Sequence, residues 1–335
     1  MIIDSADDVT RAVLAEIERA PDARLRQILS AAVEHLHAFV RDTQLTEAEF
    51  RHACAIVARL GQATTASHNE VVLAAGSLGV SSLVCLINNG DSGRRETTAN
   101  LMGPFWRKDS PATPNGGSIV RSPTPGEPLF VDARVRDTEG RPVDGAEVDV
   151  WQASSEGFYE NQDPTQTDMN LRGRFVTDAA GRIAFRSIRP AGYPIPVAGP
   201  VGDLLRAQGR HNMRPAHLHF LIRKSGFKTQ FSQVYSSDDP HLETDVQFGV
   251  TRALVGRYVR HLGEAAPDRD VDGAWYSLEH HFVIDRGDDA LPAAPISGRA
   301  EGARPELTIL RRSDPPAALP VPNRPVEQAS DKARP

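Results

Sequence analysis

The chain contains 335 residues, with 38 basic and 44 acidic side chains and a net charge of −6. This length suits roughly two domains of ~150 residues, and the modest acidic charge argues against a nucleic-acid-binding protein. The chain contains no run of ~18 apolar residues, so the sequence predicts no membrane span. The two cysteines are too few for a disulfide framework and the acidic N-terminus does not resemble a signal peptide, so we expect a cytoplasmic protein.

Residues 1–100 have the pattern of a helical domain. Over residues 20–60, apolar side chains recur at three- and four-residue steps, which is typical of amphipathic helices, and we interpret this stripe mainly as core. Thr46 and Glu49 form the capping-box pattern that begins a helix. A third helix is expected to begin between residues 67 and 69.

Alternation of apolar and polar residues replaces the helical pattern in residues 101–285. Short strands separated by turn residues are typical of a β-sandwich or barrel. Residues 244–262 fit either a late helix or a loop with helical content. We therefore predict an α+β fold, with an N-terminal helical domain followed by an antiparallel β-sandwich. The strands are expected over residues 129–135, 148–150, 173–177, 182–187, 218–222 and 275–284.

The last fifty residues, 286–335, form a third region of distinct composition. They contain many prolines and no aromatic side chain. Such a composition predicts a tail that is extended or disordered. A short strand at Leu307–Leu310 is the one regular element that its sequence could form.

Two histidines supply the strongest local signal for chemistry. His217 and His219 are two residues apart on an alternating strand, so their side chains share one face and could hold a single transition metal. The same pair could instead be two hydrogen-bonded histidines that line a polar cavity. A carboxylate from Asp238, Glu243 or Asp245 could complete a ferrous site of two histidines and one carboxylate.

Two tyrosines offer another set of ligands, although the chain has only five tyrosines. Tyr159 follows a predicted strand, and Tyr193 lies in a loop between prolines. A free phenol has a pKa of ~10, and a trivalent cation would favour its deprotonated form. Taken alone, each tyrosine fits a residue that packs its loop better than it fits a metal ligand.

The motifs around these four residues resemble those of the intradiol ring-cleaving dioxygenases. The resemblance extends over about residues 20–285. Its motifs are Gly103-Pro-Phe-Trp-Arg107, Gly157-Phe-Tyr159, Arg189-Pro-Ala-Gly-Tyr193 and Gly209-Arg-His-Asn-Met-Arg-Pro-Ala-His-Leu-His219. Within the family, the motifs Val150-Trp-Gln, Tyr193-Pro-Ile-Pro and Asp245-Val-Gln-Phe-Gly-Val250 look most like those of hydroxyquinol 1,2-dioxygenases.

The resemblance implies a homodimer that cleaves a catecholic ring with O2. It implies that the N-terminal helices form the dimer interface, where a phospholipid can lie between them. It also implies one Fe(III) per subunit. The ligands implied for the iron are Tyr159, Tyr193, His217 and His219.

The resemblance implies catalytic roles for three residues. Tyr193 would be the tyrosinate that leaves the metal and accepts a proton from the substrate. Arg214 would stabilise negative charge that develops on the ring, although it could also form an ordinary salt bridge. Gln233 lies at the position of a polar residue that supports the site, or it makes an ordinary strand hydrogen bond.

The resemblance also implies the walls of the substrate pocket. At two of these positions, Gly76 and Gln247, the chain departs from the hydroxyquinol pattern, in which an acidic and a small apolar residue are usual. Loss of the carboxylate removes a partner for a third ring hydroxyl, and Gly76 is expected to open volume. The implied wall residues are Leu73, Gly76, Leu101, Met102, Gly103, Pro104, Ile195, Pro196 and Gln247.

The substrate expected from these features is hydroxyquinol, cleaved to 3-hydroxymuconate, which tautomerises to maleylacetate. Catechol or a methyl- or chlorocatechol is the alternative substrate. A remote alternative of a different class is a non-enzymatic β-sandwich module that binds a partner, with an incidental pair of histidines.

Overall fold

A computed structural model describes residues 2–89, 97–100 and 102–315. The chain separates into two compact units that divide between Val57 and Ala58. The domain boundaries at residues 100 and 285 stay predictions.

The helical pattern of the N-terminal region is confirmed. Glu49 N donates to Thr46 Oγ1 and Thr46 N donates to Glu49 Oε2 at 2.8 Å, which is the predicted capping box. Asn69 caps the following helix by accepting a hydrogen bond from Val72 N at 3.0 Å. The helices are α1 (Ala6–Ile17), α2 (Ala23–Thr43), α3 (Glu47–Gln62), α4 (Glu70–Ser77) and α5 (Val80–Asn89).

No described helix is by itself long and apolar enough to cross a membrane. The helices α4 and α5, which meet at a bend of 76°, meet the requirement as a pair, on length and composition alone.

The interpretation of the apolar stripe over residues 20–60 as mainly core is wrong. None of the described residues in α1, α2 or α3 is buried. Leu36 and Phe39 in α2 are 61% and 52% exposed. Periodicity indicates which face of a helix is apolar, but it does not indicate what covers that face. An exposed apolar patch of this kind marks an interaction surface.

The predicted β-sandwich is confirmed, with two sheets and a short ribbon. One sheet has the strand order β10-β11-β1-β4 and the other has the order β3-β2-β7-β8-β9. The pairs β1–β11 and β8–β9 are parallel, whereas the other pairs are antiparallel. The strands and the remaining helix are β1 (Pro128–Asp137), β2 (Glu147–Gln152), β3 (Arg172–Val176), β4 (Arg182–Ile188), β5 (Tyr193–Pro194), α6 (Pro200–Ala207), β6 (Met213–Arg214), β7 (His217–Arg223), β8 (Gln230–Ser236), β9 (Val255–Gly256), β10 (Tyr258–His261) and β11 (Trp275–Ile284).

The core of the sandwich follows from the two-residue period of its strands. On β7, Leu218, Phe220 and Ile222 lie in this core, together with alternate residues of β1 such as Val131. The residues between them on β7 point away from the core. A second apolar cluster, which contains Leu221, covers this outer face of the five-stranded sheet. The strand β7 therefore packs into the core with one face and contributes to a buried polar site with the other.

A late helix does not form between residues 244 and 262, so that alternative is wrong. The chain forms 3₁₀ turns at Leu242–Thr244 and Arg252–Leu254, and then the strands β9 and β10. The carboxylate of Asp245 accepts hydrogen bonds from the backbone N–H groups of Gln247 and Gly249 at 3.2 and 2.9 Å. Such side-chain bonds to the backbone compete with helix formation.

The predicted strand at Leu307–Leu310 is also wrong. Residues 304–310 form no strand, because the amide of Asn212 takes the backbone groups that a strand partner would use. Asn212 Nδ2 donates to Thr308 O, and Leu310 N donates to Asn212 Oδ1, both at 2.9 Å. The segment is extended against the sandwich unit, where Leu310 is only 9% exposed, and Ile296, which precedes the segment, is 3% exposed.

Candidate metal centre and substrate pocket

Four donor side chains meet on the outer face of the five-stranded sheet. Tyr159 lies in the loop after β2, Tyr193 begins β5, and His217 and His219 are the outward residues of β7. All four are at most 3% exposed.

The donor atoms of these side chains converge on Tyr159 Oη. This oxygen lies 2.8 Å from His219 Nε2, 3.4 Å from His217 Nε2 and 3.3 Å from Tyr193 Oη. The two Nε2 atoms are 3.1 Å apart. Ligands at ~2.0–2.1 Å from a metal ion lie about 2.9–3.4 Å from each other in tetrahedral to octahedral geometry. The spacing of the four atoms therefore fits one metal ion.

The carboxylate alternative for the metal site is not assembled. In the described parts of the chain, no group of three or more His, Cys, Asp or Glu side chains could hold a metal ion. Asp238 pairs with Arg189 at 2.7 Å, Glu243 is exposed, and Asp245 binds a guanidinium. Two imidazoles and two phenolic oxygens are thus the donors available.

The hydrogen bonds of His217 orient it as a ligand. Its Nδ1 lies 2.6 Å from Pro215 O, and since a carbonyl only accepts, Nδ1 carries the proton and Nε2 offers its lone pair to the site. Burial, with Arg214 adding to it, lowers the pKa of His217 to about 3. His219 stacks on Trp151 with ring centroids 4.6 Å apart. Burial also lowers the pKa of His219 well below its usual value, so both imidazoles are neutral.

The surroundings of Tyr159 keep its phenol protonated unless a cation binds next to it. Burial raises the pKa of Tyr159 well above its usual value, and the adjacent Tyr193 adds to that shift. The ring of Phe105 stacks on Tyr159 with centroids 4.4 Å apart, which excludes water from this side. A bound metal cation would reverse the shift, since it favours the deprotonated ligand.

Arg214 is a buried guanidinium fixed on several sides. It is 3% exposed, and its backbone pairs with Tyr193 between β6 and β5. Its Nε and Nη2 donate to the carboxylate of Asp245, each at 3.1 Å. Burial alone would lower the pKa of Arg214, but Asp245 raises it well above its ordinary value. The group is therefore a fixed positive charge.

The same guanidinium contacts two residues of β8. Arg214 Nη2 donates to Gln233 Oε1 at 2.9 Å and to Tyr235 Oη at 2.8 Å. Tyr235 Oη in turn donates to Gln233 Oε1, and Asn100 Nδ2 donates to Tyr235 Oη at 3.1 Å. Sequence reasoning missed Tyr235, Asn100 and this role of Asp245. The two-residue spacing of Gln233 and Tyr235 on one strand was a signal that could have found the tyrosine.

A cavity of about 120 Å³ lies beside the donor atoms. This volume is close to that of a cavity of about 150 Å³ in another protein that holds one benzene ring, so the space has about the size of a single aromatic ring. Leu101 lies outside the described residues. Of the residues expected from sequence, the cavity is lined by Leu73, Met102, Gly103, Pro104, Tyr193, Ile195, Pro196, Arg214 and Gln247, to which the structure adds His68, Val72, Ser81, Phe105 and Pro295.

Gly76 does not line the cavity, contrary to expectation, and it does not open volume. A Cβ atom at Gly76 would lie 2.8 Å from Gln247 Cδ and would collide with Gln247 Oε1. The carboxamide of Gln247 therefore fills the space that the glycine leaves. Gln247 Nε2 donates to Ser77 Oγ at 2.7 Å, which holds the side chain there.

The fold, with its convergent phenols and imidazoles, places the chain among oxidoreductases built on a β-sandwich. Residues 101–280 match the family described as "Dioxygenase", and residues 22–95 match "Catechol dioxygenase N terminus". The chain belongs to the intradiol ring-cleavage dioxygenases. This membership contradicts the alternative of a non-enzymatic binding module.

Known relatives agree with this assignment. Hydroxyquinol 1,2-dioxygenase of Rhizobium sp. strain MTP-10005 is 40% identical, over 82% of this chain and 93% of that protein. Catechol 1,2-dioxygenase of Candida albicans is 37% identical, over 69% of this chain and 77% of that protein. The crystal structure of hydroxyquinol 1,2-dioxygenase from Pseudomonas putida DLL-E4 matches with a TM-score of 0.76 and 35% identity, over 84% of this chain and 99% of that chain.

Proposed function

We propose that this dioxygenase is iron-dependent and cleaves hydroxyquinol between adjacent hydroxylated carbons. Both atoms of O2 would enter the product, 3-hydroxy-cis,cis-muconate, which tautomerises to maleylacetate in aromatic degradation. The proposed site holds one Fe(III) per subunit through Tyr159, Tyr193, His217 and His219. The observation that carries this proposal is the approach of their donor atoms to within 3.4 Å of Tyr159 Oη beside a ring-sized cavity.

Tyr193 is the donor that the substrate can reach. It lines the cavity, whereas Tyr159 is fully buried behind it. A catechol must lose its hydroxyl protons to bind through both oxygens, and Tyr193 Oη, which belongs to a residue of the cavity wall, would accept one of them. When bound, the ferric ion supplies a Lewis acid for the two catechol oxygens and withdraws electron density, which makes the ring reactive toward O2.

Arg214 acts on the ring without transferring a proton. It lines the cavity as a buried positive charge, so it stabilises negative charge on the substrate. Gln233 and Asp245 fix the guanidinium before the substrate arrives, so no reorganisation is needed during the reaction. In this proposal, Gln233 is a positioning residue.

Gln247 would recognise the third hydroxyl of hydroxyquinol. It supplies a polar carboxamide in the cavity wall, next to the glycine where an acidic residue is usual. Its Nε2 donates to Ser77 Oγ at 2.7 Å, and Oε1 is the acceptor atom of the same carboxamide. That oxygen can accept the hydrogen bond that a third ring hydroxyl donates.

Catechol, or a methyl- or chlorocatechol, is the second candidate substrate. The observation in its favour is that the described residues that line the cavity include no carboxylate, so a ring without a third hydroxyl leaves no charge unpaired. The catechol 1,2-dioxygenase relative is 37% identical to this chain.

Oxygen uptake by the iron-loaded protein separates the two candidates. Charge transfer from tyrosinate to ferric iron should colour the protein burgundy to red, and catechol should change that colour. Rates with hydroxyquinol, catechol, 4-methylcatechol and 4-chlorocatechol then rank the substrates. A colourless protein without iron after iron-supplemented expression would contradict the proposed iron dependence. A kcat/KM that is higher for catechol than for hydroxyquinol would contradict the proposed substrate.

The exposed stripe of α2 supports a homodimer. Ile28, Leu36 and Phe39 are 49%, 61% and 52% exposed, which is a large apolar surface for one chain. Leu36→Glu should halve the mass measured by sedimentation. Val176→Glu, at a strand residue that is 56% exposed, should leave the mass unchanged. Mass spectrometry of an organic extract would test whether a phospholipid lies between the helices.

A further inference from the structure

Residues 286–315, which we name the C-terminal strap, lie beyond both family matches, which end at residues 95 and 280. The strap contains no helix or regular strand, yet it is not a loose appendage. Ile296 is 3% exposed, and Leu310 belongs to the apolar cluster that contains Tyr159 and Tyr193.

The strap is bonded to the loop that follows Tyr159. Arg299 Nη2 donates to three backbone carbonyls of this loop, Glu160 O at 3.3 Å, Asp163 O at 3.1 Å and Gln166 O at 2.7 Å. Ala300 N donates to Asn161 O at 2.7 Å. The Arg299 guanidinium thus donates hydrogen bonds to carbonyls at three positions, which restricts the motion of the loop immediately after the proposed iron ligand Tyr159.

A second arginine of the strap holds the loop before the ligand. Arg304 Nη2 donates to Glu156 Oε2 at 2.8 Å, and its Nε lies 3.3 Å from Asp163 Oδ2. Gly157 has a φ of +85°, and a Cβ there would lie 3.5 Å from Leu307 Cδ1, so the strap packs directly on this turn. Tyr159 is therefore bracketed on both sides.

The far end of the strap is bonded to the pocket wall. Asn212, which is fully buried, donates through Nδ2 to Ile195 O at 2.8 Å and to Thr308 O at 2.9 Å. Ile195 lines the substrate cavity, and so does Pro295 of the strap itself. The strap therefore contributes one wall residue directly and holds another through Asn212.

We propose that the C-terminal strap contributes to the active site in two ways. Arg299 positions the loop that carries Tyr159, and Pro295 limits the size of the substituent that the substrate ring can carry. The proposal rests on the proposed function for its iron and substrate, but the bonds that carry it belong to the protein alone. Arg299 is a positioning residue because it acts on Tyr159 through the loop backbone.

The test for Arg299 compares Arg299→Ala with Arg311→Ala, which removes an exposed arginine of the same strap. Hydrogen exchange of the metal-free full-length protein should show at least ~10-fold faster exchange over residues 159–167 in Arg299→Ala, and no change in Arg311→Ala. In the iron-loaded protein, Arg299→Ala should shift the tyrosinate charge-transfer band and release iron to a chelator ~10-fold faster. Arg299→Lys, which keeps a cationic donor, should restore part of both properties.

The test for Pro295 compares Pro295→Ala with Pro292→Ala, an exposed proline of the strap. Pro295→Ala should raise kcat/KM for 4-chlorocatechol relative to catechol by about 3- to 10-fold, mainly through KM, with iron content unchanged. Pro292→Ala should leave that ratio at the wild-type value.

Unchanged exchange over residues 159–167 in Arg299→Ala would overturn the positioning role. An unchanged substrate ratio in Pro295→Ala would overturn the wall role. If the wild-type protein cleaves none of hydroxyquinol, catechol, 4-methylcatechol and 4-chlorocatechol, the proposed function fails instead, and the hydrogen-exchange comparison still decides whether the strap holds the loop.

Discussion

The two sides of the substrate cavity are built in different ways. On the donor side, each side chain is buried and restrained by its own neighbour, as Trp151 restrains His219 and Pro215 restrains His217. On the wall side, Gln247 lines the cavity and its carboxamide fills the space that Gly76 leaves, so that the size of one residue sets the position of the other. The difference teaches that the chemistry and the substrate preference of this enzyme can be changed independently.

The largest effect should come from removing a donor. His219→Ala leaves one imidazole for the metal, so we expect iron content to fall to near background and ring cleavage to fall more than ~1,000-fold. Even loss of a residue that only supports a metal ligand costs ~10–100-fold. Metal analysis and oxygen uptake measure the two effects.

The matched control is His280→Ala, which removes a half-buried histidine from β11 in the other sheet. Its iron content and activity should stay near the wild-type values. Equal iron content in His219→Ala and His280→Ala would contradict the assignment of His219 as a metal ligand.

The next largest effect should come from the fixed charge of Arg214. Arg214→Gln should lower kcat by about 10²–10³-fold with iron retained, which is the size typical of a lost electrostatic stabiliser. It also leaves the buried Asp245 without its cation, which costs about 3–5 kcal/mol of unfolding free energy.

The double variant Arg214→Gln/Asp245→Asn separates these two contributions. It should recover most of the unfolding free energy measured in urea, because no buried charge is left unpaired, but none of the activity. Recovery of activity with stability would show that Arg214 serves only to stabilise the fold.

A smaller change is expected on the wall side. Gly76→Asp alone would collide with Gln247, so the informative variant is Gly76→Asp/Gln247→Ala, which exchanges the neutral Gln247 acceptor for a carboxylate that can enter the space the carboxamide leaves. We expect kcat/KM for hydroxyquinol relative to catechol to rise about 10-fold, the size of one hydrogen bond to a charged group. Steady-state oxygen uptake measures the ratio, and a fall in it would contradict the wall assignment.

The smallest effect should be confined to stability. Burial raises the pKa of Asp149 on β2 to about 6, whereas the unfolded carboxyl titrates near ~3.9, so the folded protein loses stability as pH rises from 4 through 6. Asp149→Asn should therefore raise the unfolding free energy by about 2 kcal/mol at pH 7.5 and by much less at pH 4. Urea denaturation at both pH values, with oxygen uptake unchanged, checks this.

Local patterns in the sequence predicted the helices and strands better than they predicted the contacts between them. The alternation around His217 predicted a strand, and the Thr46–Glu49 pattern predicted a helix start, because both depend on neighbours a few residues away. Gln233 and Tyr235 were harder to interpret, since their function depends on Arg214, which reaches them from another sheet.

Volume was the property that the sequence could not convey. Gly76 suggested open space, but a residue 171 positions later fills it, and only the folded chain brings the two together. The proline-rich composition of the last fifty residues predicted a tail that is extended or disordered, and its described part is extended, but the composition did not indicate what the tail contacts. Asn212 and Arg299 supply specific partners instead, and neither contact has a periodic signature.

The alternation of β7 has a consequence for how the protein can be followed in the laboratory. A slip of one residue in the pairing of this strand would turn His217 and His219 into the core and expose Leu218 and Phe220 to the site. Only the correct alignment presents both imidazoles to a metal. If iron binds as proposed, visible colour would serve as a built-in indicator of correctly assembled sheet, readable in a crude preparation before any substrate is added.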